Sequence, residues 1–224
     1  MMKMFVSDFD HTLFVDQTIS QDNIHLIKSC QEKGIFVIAT GRSLHSLLDA
    51  LEPFSIHPDY LILNNGAMIK SVLYTHRFLM NEPETKVKEL LEHFEIKRFR
   101  VLNGYGEKGL HQMTPIDWQK GICSFYLNFH DRNEKEKTYR YIKKWKDVDV
   151  LQEGLNLDIL AKSVDKKEAV SYIARDLGIQ KSDIFTVGDG YNDVKMVEAF
   201  QGVLLPSNDP QNHERFYNIL KNLM

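Results

Sequence analysis

A short apolar run near the start of the chain, residues 4–6, is followed at once by two aspartates, Asp8 and Asp10, that stand one residue apart. The run is typical of a buried β-strand, and the aspartates fall where that strand should end. In an open α/β sheet, ligands bind in the crevice beyond the carboxyl ends of the strands. The two carboxylates are therefore candidate site residues, although the same pattern also suits an ordinary turn or a helix cap.

Both ends of the chain repeat this arrangement of strand, polar loop and helix. Apolar runs predict further strands at residues 35–39, 60–63, 184–187 and 202–205. Apolar residues at helical spacing predict helices between Ser20 and Gly34, at residues 44–51 and 167–177, from about residue 194, and at the C-terminus. Strands that alternate with helices predict a doubly wound, Rossmann-like α/β core with a parallel sheet.

The middle of the chain has a different pattern, because strands come in pairs between two amphipathic helices. The helices are predicted at residues 86–94 and 134–145, and the strands at residues 98–102, 109–113, 122–129, 148–151 and 155–160. This order favours an antiparallel α+β insert over a continuation of the parallel sheet. We therefore expect a core formed by residues 1–78 and 163–224, with a small cap domain, residues 79–162, inserted in it. Within the cap, residues 104–107 are predicted as a hairpin turn, with a mobile loop over the site as the alternative.

Composition and charge argue against several classes of partner. The formal net charge is −3 and there is no long basic run, so we expect neither nucleic acid nor an anionic membrane surface as a partner. The N-terminus has neither a signal peptide nor the roughly 20 apolar residues of a bilayer span, which predicts a cytoplasmic protein. Cys30 and Cys123 lie far apart in apolar patterns and are predicted to be buried thiols. No feature of the sequence indicates an oligomeric state.

Polar residues follow four of the predicted strands, and a parallel sheet would bring them to one edge. They are Asp8, Asp10, Thr40, Asn64, Asp189 and Asp193. Four aspartates in one crevice need a countercharge, since two charges about 4 Å apart repel by about 4 kcal/mol at an effective dielectric constant near 20. An all-oxygen set without a histidine or cysteine pattern suits Mg²⁺. The sequence therefore predicts a magnesium site at this edge.

Four short motifs, in this order along the chain, resemble those of the haloacid dehalogenase superfamily of phosphohydrolases. They are Asp8-Phe9-Asp10-His11-Thr12-Leu13, Thr40-Gly41-Arg42, Lys166 and Gly188-Asp189-Gly190-Tyr191-Asn192-Asp193. Residues 64–67 and 157–159, followed by residues 164–166, resemble more narrowly the Cof-like branch, subfamily IIB, which carries its cap between the second and third motifs. The resemblance covers the whole core, whereas the cap matches mainly in position.

The resemblance implies roles for nine residues of these motifs. Asp8 would be the nucleophile, which suits a carboxylate because it is ionised at neutral pH and needs no general base. Asp10 would be the general acid and base. For the rest, Thr40, Gly41 and Lys166 would hold phosphate oxygens, Arg42 and Asn192 would add phosphate or substrate contacts, and Asp189 and Asp193 would join Asp8 and Asp10 at the metal. Asp10 would use its main-chain carbonyl there, and Asp193 would act through water or through Lys166.

His11 departs from the family pattern, which usually has glycine after the second aspartate. The histidine gives this loop a Cβ and a ring that would narrow the phosphate pocket or contact the substrate.

Taken together, the motifs predict a Mg²⁺-dependent phosphomonoester hydrolase that forms an aspartyl-phosphate on Asp8. The expected substrate is a small phosphorylated metabolite, such as a sugar phosphate or a phosphoglycolate-like acid. One alternative is a phosphotransferase or mutase, in which a hydroxyl replaces water as the acceptor. A second alternative is a non-enzymatic phospho-aspartate switch, against which the large insert and the second carboxylate, Asp10, both argue.

Overall fold

The computed structural model describes residues 2–223. The first part of the chain forms five strands and two α-helices: β1 (Lys3–Ser7), α1 (Gln21–Lys33), β2 (Gly34–Ala39), α2 (Leu44–Leu51), β3 (Tyr60–Leu63), β4 (Met68–Ser71) and β5 (Thr75–Arg77). Helix α1 begins where its sequence predicts, because the Ser20 side chain accepts a hydrogen bond from the N–H of Asn23.

The middle of the chain forms five strands and three α-helices. They are α3 (Pro83–His93), β6 (Arg98–Leu102), β7 (Glu107–Gly109), α4 (Pro115–Gln119), β8 (Ser124–Asn128), α5 (Arg132–Ile142), β9 (Val148–Glu153) and β10 (Asn156–Ala161). The last part returns to alternating elements: α6 (Lys166–Leu177), β11 (Ile184–Gly188), α7 (Val194–Ala199), β12 (Gln201–Leu204) and α8 (Asn212–Leu223).

The strands of the first and last parts form one seven-stranded sheet in the order β12-β11-β1-β2-β3-β4-β5. The first five of these strands are parallel, and the two at the β5 edge are antiparallel. The predicted fold class, an α/β fold around a parallel sheet, is confirmed. The edge strands β4 and β5 were not predicted, because β5 is only three polar residues, Thr-His-Arg, and depends on pairing with β4.

Helices cover both faces of this sheet. Successive residues of β1 point to opposite faces, so Phe5 joins a hydrophobic cluster with α1, α2 and α8, while Met4 and Val6 join a second cluster with α6 and α7. A strand that is buried on both faces has a continuous apolar sequence, as β1, β2 and β3 do. The two clusters fix the sheet between its helices and so fix the positions of the strand ends.

The strands of the middle segment form a separate antiparallel sheet in the order β7-β6-β8-β10-β9. One face of this sheet packs against α3 and α5 through a third hydrophobic cluster, which contains Phe99, Val101, Phe125 and Leu127. The alternate residues of the same strands lie on the other face. That face is turned toward the carboxyl ends of the parallel strands, where it forms part of a cavity.

One predicted strand of the middle segment is wrong. Residues 109–113 were expected to be extended, but the strand β7 ends at Gly109 and a 3₁₀ turn, Leu110–Gln112, follows. Helix α4 begins directly afterwards, because Pro115 occupies its first position and the Thr114 hydroxyl caps the N–H of Asp117. The apolar residues of this stretch, Leu110 and Met113, are three residues apart, which suits a helical turn better than a strand.

The turn between β6 and β7, residues 103–106, joins the two sheets. The carbonyl of Gly104 accepts a hydrogen bond from the N–H of Leu44 at 3.0 Å, and the carbonyl of Tyr105 accepts one from the N–H of His45 at 2.9 Å. These are the first N–H groups of α2, which have no partner within their own helix. The predicted hairpin turn is confirmed, and it rests on the core.

No helix within residues 2–223 combines the length and the apolar composition needed to cross a bilayer. Cys30 and Cys123 are both buried and belong to different hydrophobic clusters, as expected for thiols that help to fill a core.

Candidate functional site

The loops that follow β1, β2 and β11 meet at one edge of the seven-stranded sheet, because these strands are parallel neighbours. A cavity of about 800 Å³ lies between this edge and the five-stranded sheet. Its wall on the core side includes most of the predicted site residues, together with His11 and Asn65. The predicted ones are Asp8, Asp10, Thr40, Gly41, Arg42, Asp189 and Asn192. Lys166 and Asp193 are buried next to Asp8. Asn64 is also buried, but it is not part of the cavity wall.

The ammonium of Lys166 lies between two buried carboxylates. Its Nζ donates to Asp8 Oδ1 at 2.6 Å and to Asp193 Oδ1 at 2.7 Å, and the Lys166 side chain is 1% exposed. Lys167, by contrast, is half-buried on the outside of the molecule and pairs with Glu168. The structure therefore brings the predicted lysine, and not its neighbour, to the strand ends.

Lys166 reaches this position because it is the first residue of α6. Asp165 caps the helix by accepting a hydrogen bond from the N–H of Glu168, which fixes where α6 begins. The turn of residues 64–66 packs directly against this cap. Gly66 has a φ of +106°, and a Cβ there would lie 2.3 Å from the carbonyl oxygen of Asp165. The preceding asparagines, Asn64 and Asn65, also have positive φ, at 48° and 54°, which explains the Asn-Asn-Gly sequence.

Asp193 is completely buried, and both of its carboxylate oxygens have partners. Oδ1 accepts from Lys166, and Oδ2 accepts from the N–H of Gly190 at 2.9 Å. The close approach depends on Gly188, since a Cβ there would lie 2.5 Å from the Cβ of Asp193. Sequence reasoning did not assign Gly188 this role. A glycine at the end of a buried strand, five residues before the predicted site residue Asp193, was the available signal.

Asp189 is held from the opposite side by the loop after β1. The buried hydroxyl of Thr12 donates to Asp189 Oδ1 at 2.8 Å. This contact links the first motif to the last one, which is 177 residues further along the chain. Thr12 was not among the predicted site residues.

Carboxylate oxygens of Asp8, Asp189 and Asp193 lie within 4.8 Å of one another. Oxygen donors at this spacing fit a hard divalent cation. The charge also fits, because three ionised carboxylates and one ammonium leave two negative charges in a buried region. The carboxylate of Asp10 does not belong to this group among the described residues. Its predicted contact to the metal is through the main-chain carbonyl, and this stays a prediction.

The buried surroundings shift the pKa values of Asp8 and Lys166. It raises the pKa of Asp8 to about 8, with Lys166 acting in the opposite direction and the charge of Asp193 adding to the rise. Burial alone would lower the pKa of Lys166, but the charges of Asp8 and Asp193 outweigh it and raise that pKa. The lysine therefore stays charged, and Asp8 is the group whose charge a cation would favour.

Asp10 is paired with Arg42. The guanidinium donates to Asp10 Oδ1 at 2.7 Å and to Oδ2 at 2.9 Å, and it lies over the rings of Phe9 and Phe14 at 5.1 and 5.4 Å. Arg42 was predicted to contact phosphate or substrate, but its contacts in the structure are to the predicted acid and base. The pair faces the cavity, where the Asp10 side chain is 38% exposed.

His11 adopts the backbone conformation that a glycine would favour. Its φ is 59°, its side chain is exposed at the cavity, and its carbonyl accepts a hydrogen bond from the Asn212 amide at 2.7 Å. Histidine tolerates this left-handed region better than most residues do. The loop therefore keeps its left-handed turn without the glycine.

Asn65 connects the last motif to the middle segment, and it was not among the predicted site residues. Its Oδ1 accepts from Asn192 Nδ2 at 2.9 Å, and its Nδ2 donates to Asp158 Oδ2 at 3.3 Å. Asp158 lies on β10 and faces the cavity, and burial together with the charge of Glu153 raises its pKa to about 7. Thr40 lies nearby, and its hydroxyl accepts from the N–H of Arg42 at 3.1 Å.

A doubly wound core with an acidic cavity at its strand ends, covered by a second sheet, is the arrangement of an α/β enzyme. A sequence model of the haloacid dehalogenase-like hydrolase family matches residues 5–205, so the chain belongs to this family. The family predicted from the four motifs is confirmed, and with it the prediction of an enzyme.

Individual relatives are distant in sequence but match over most of the chain. The chain is 24% identical to 5-amino-6-(5-phospho-D-ribitylamino)uracil phosphatase of Bacillus subtilis, over 91% of this chain and 84% of the other. It is 23% identical to phosphoglycolate phosphatase of Methanopyrus kandleri, over 98% of this chain and 90% of the other. A solved subclass IIB sugar phosphatase of the superfamily superposes with a TM-score of 0.77 at 17% identity, over 99% of this chain and 98% of that one. The fold thus agrees with the narrower resemblance to the Cof-like branch.

Proposed function

We propose that this protein is a Mg²⁺-dependent phosphomonoester hydrolase that forms an aspartyl-phosphate on Asp8. The observation that carries the proposal is the buried cluster in which Lys166 lies between Asp8 and Asp193, beside Asp189. Phosphoryl transfer needs little beyond positioned charges and a nucleophile. Membership of the hydrolase family and the similarity to phosphatases support the same reaction class.

In this proposal, Asp8 and Asp189 would hold the metal directly through carboxylate oxygens. Asp193 would support them without coordinating, since both of its oxygens already accept hydrogen bonds from Lys166 and Gly190. The carbonyl of Asp10 would complete the protein ligands. Bound Mg²⁺ would neutralise charge on the phosphate and on the carboxylates around it.

The first step transfers the phosphoryl group to the enzyme. A carboxylate oxygen of Asp8 attacks phosphorus, and the bond from phosphorus to the leaving oxygen breaks. Asp10 gives a proton to that oxygen, so the product leaves as an alcohol. In this proposal, Lys166, the Thr40 hydroxyl and the main chain at Gly41 would hold the phosphate oxygens.

The second step returns Asp8 to its starting state. Asp10 takes a proton from a water molecule, the water oxygen attacks phosphorus, and the bond to Asp8 breaks to release inorganic phosphate. Both oxygens of Asp10 accept from Arg42 in the structure, so at least one of these bonds must loosen for the carboxyl to exchange a proton. Arg42 is thus proposed as a residue that positions Asp10.

We propose that the substrate is a small phosphorylated metabolite and that residues 79–162 act as a cap domain over it. The cavity, at about 800 Å³, has room for a leaving group well beyond a phosphate. The five-stranded sheet supplies the wall opposite the strand ends, from Arg98, Arg100, Tyr126 and Asp158 among others. Two relatives described above are named as phosphatases of small phosphorylated metabolites, which supports the same class of substrate here.

The test is release of inorganic phosphate by the purified protein across sugar phosphates, phosphorylated acids and nucleotides, with Mg²⁺ and with a chelator. We expect release without any added acceptor, and its loss on chelation. Borohydride reduction followed by mass spectrometry should label Asp8 during turnover. Phosphate transfer that requires an added hydroxyl acceptor would indicate a phosphotransferase, and a labelled Asp8 that persists for minutes without turnover would indicate a switch.

A further inference from the structure

The face of the five-stranded sheet that lines the cavity carries two arginines, Arg98 and Arg100. They are alternate residues of β6 and so share a face, while the alternating residues Phe99 and Val101 are buried in the hydrophobic cluster behind the sheet. Both guanidinium groups are thus presented to the space that lies opposite Asp8. Neither belongs to a motif that the sequence analysis assigned to chemistry.

The cations of the cavity wall differ in how they are engaged. Arg42 binds both oxygens of Asp10, and Arg100 forms an ion pair with Glu107. The Arg98 side chain is exposed, and within residues 2–223 its guanidinium forms neither an ion pair nor a hydrogen bond, whereas its main chain belongs to the β6–β8 ladder. A cation that lines a closed-in cavity without a carboxylate partner is available to an anionic ligand.

Apart from Glu107 on β7, whose charge is engaged by Arg100, the acidic groups of this wall lie toward the β9 edge and the arginines toward β6. In the strand register, Arg98 stands opposite Asn128 and Arg100 stands opposite Tyr126, on the neighbouring strand β8. The acidic residues Asp158 and Glu153 lie beyond them, on β10 and β9. An anionic group would therefore be favoured at the β6 side of the sheet and disfavoured at the β9 side.

We propose that Arg98, with Arg100 beside it, forms a subsite for a second anionic group, a carboxylate or phosphate, on the leaving group of the substrate. The inference rests on the proposed phosphatase function and narrows its substrate class. Substrates would carry the scissile phosphate at one end, near Asp8, and the second negative charge at the other. Arginine suits both kinds of anion, because its planar fork can donate two parallel hydrogen bonds.

The experiment compares matched substrates that differ only in the second charge. The first pair is 6-phosphogluconate against sorbitol 6-phosphate, which replaces the carboxylate by a hydroxymethyl group. The second pair is fructose 1,6-bisphosphate against fructose 1-phosphate, which tests phosphate as the second anion. We expect kcat/KM to be higher for the charged member of at least one pair, and Arg98→Gln to lower that value by about 10-fold to 100-fold, as for loss of a charged hydrogen bond. For the member that lacks the second anionic group, Arg98→Gln should change kcat/KM by less than about 2-fold. Arg98→Lys should restore part of the loss seen with the other member.

Lys97→Gln is the matched control. It also removes one positive charge, at the neighbouring position, but the Lys97 side chain does not line the cavity. It should leave both substrates of each pair unchanged. Two results would overturn the subsite. One is that Arg98→Gln lowers kcat/KM equally for both members of each pair. The other is that the unaltered enzyme shows no preference for the members with a second anionic group.

A binding measurement separates this inference from the proposed function. Calorimetric titration of Asp8→Asn with 6-phosphogluconate and sorbitol 6-phosphate needs no turnover. A preference for the acid that disappears in Asp8→Asn/Arg98→Gln supports the subsite even if no phosphate is released by the active enzyme. Equal affinities in a protein that does release phosphate would reject the subsite and leave the phosphatase standing.

Discussion

The two walls of the cavity are built in opposite ways. On the core side, Asp8, Lys166 and Asp193 are buried and satisfy one another at hydrogen-bond distance. On the other side, the Arg98 side chain is exposed and forms no ion pair or hydrogen bond among the described residues. The Asp158 carboxylate accepts one long hydrogen bond, from Asn65 Nδ2 at 3.3 Å. The difference indicates that the core wall is organised before a ligand arrives, whereas the opposite wall leaves groups available for what the ligand brings. A fixed reaction and an adaptable choice of substrate would need this division.

The largest effect is expected at the organised wall. Asp8→Asn keeps the size of the side chain but removes the nucleophilic oxygen, so kcat should fall by roughly 10⁴-fold or more. Phosphate release by the purified variant measures this. Asp22→Asn, an exposed aspartate in the first turn of α1, is the control and should keep full activity. Substantial turnover by Asp8→Asn would refute the assignment of the nucleophile.

Removing the central cation tests whether the buried wall is one unit. Lys166→Met leaves Asp8 and Asp193 buried without their shared partner, which should lower the free energy of unfolding by about 3–5 kcal/mol. Urea denaturation measures the change. Lys167→Met removes an exposed pair with Glu168 and should cost less than about 0.5 kcal/mol. Similar losses in the two variants would mean that the buried pairing does not stabilise the fold.

On the opposite wall, the stability contribution of Asp158 should depend on pH. The pKa of Asp158 is raised to about 7, so the folded state binds this proton more tightly than the unfolded state does. Its stabilising contribution is complete below the unfolded pKa, near 4, and is lost as the pH rises through about 7. Asp158→Asn should therefore gain stability relative to the unaltered protein between pH 5 and pH 8, by on the order of 1–2 kcal/mol, because cavity exposure reduces the full effect.

Asp147 provides the contrast for that measurement. A hydrogen bond from Lys86 lowers the pKa of Asp147, so its contribution to stability is present at neutral pH and is lost as the pH falls through the lowered value. Asp147→Asn should lose stability at pH 7, where Asp158→Asn gains it. A pH profile of unfolding that is the same for Asp158→Asn and the unaltered protein would contradict the burial of Asp158.

The smallest effect concerns the loop after β1, which belongs to the core wall. His11 has a φ of 59°, which is less favourable for a residue with a Cβ than for glycine. His11→Gly should stabilise the fold by roughly 0.5–1 kcal/mol, since relief of this strain is partly offset by the freedom of glycine in the unfolded chain. His25→Gly, in the middle of α1, should instead lose about 1 kcal/mol. Thermal unfolding of both variants would give shifts of opposite sign if the loop conformation is correct.

Much of the core wall could be predicted because it depends on strand ends. Once β1, β2 and β11 are parallel neighbours, Asp8, Thr40 and Asp189 must come to one edge, and the order of apolar runs is enough to say so. The residues that contact them were harder to predict from the sequence. Thr12 and Asn65 hold site residues through contacts between distant parts of the chain, and no local pattern marks them. Gly188 acts locally, on Asp193, and only its place at the end of a buried strand marks it.

The orientation of Arg42 could not be predicted for a different reason. The Thr-Gly-Arg motif places the residue at the right edge, but a long side chain can turn toward a ligand or toward a nearby carboxylate. Its pairing with Asp10 depends on Phe9 and Phe14, whose rings lie under the guanidinium. The strand predicted at residues 109–113 is wrong because an apolar pattern does not determine which of two local structures will form.

The turn that joins the two sheets has a consequence for the timing of turnover. Its two carbonyls hold the first amides of α2. When such a pair separates, water replaces each partner, so the net cost is only about 1 kcal/mol per bond. Hinge-like movements of segments of this kind occur within microseconds to milliseconds. In the proposed cap function, such a small cost would let the turn leave α2 as substrate enters and product departs, and return to it between these events.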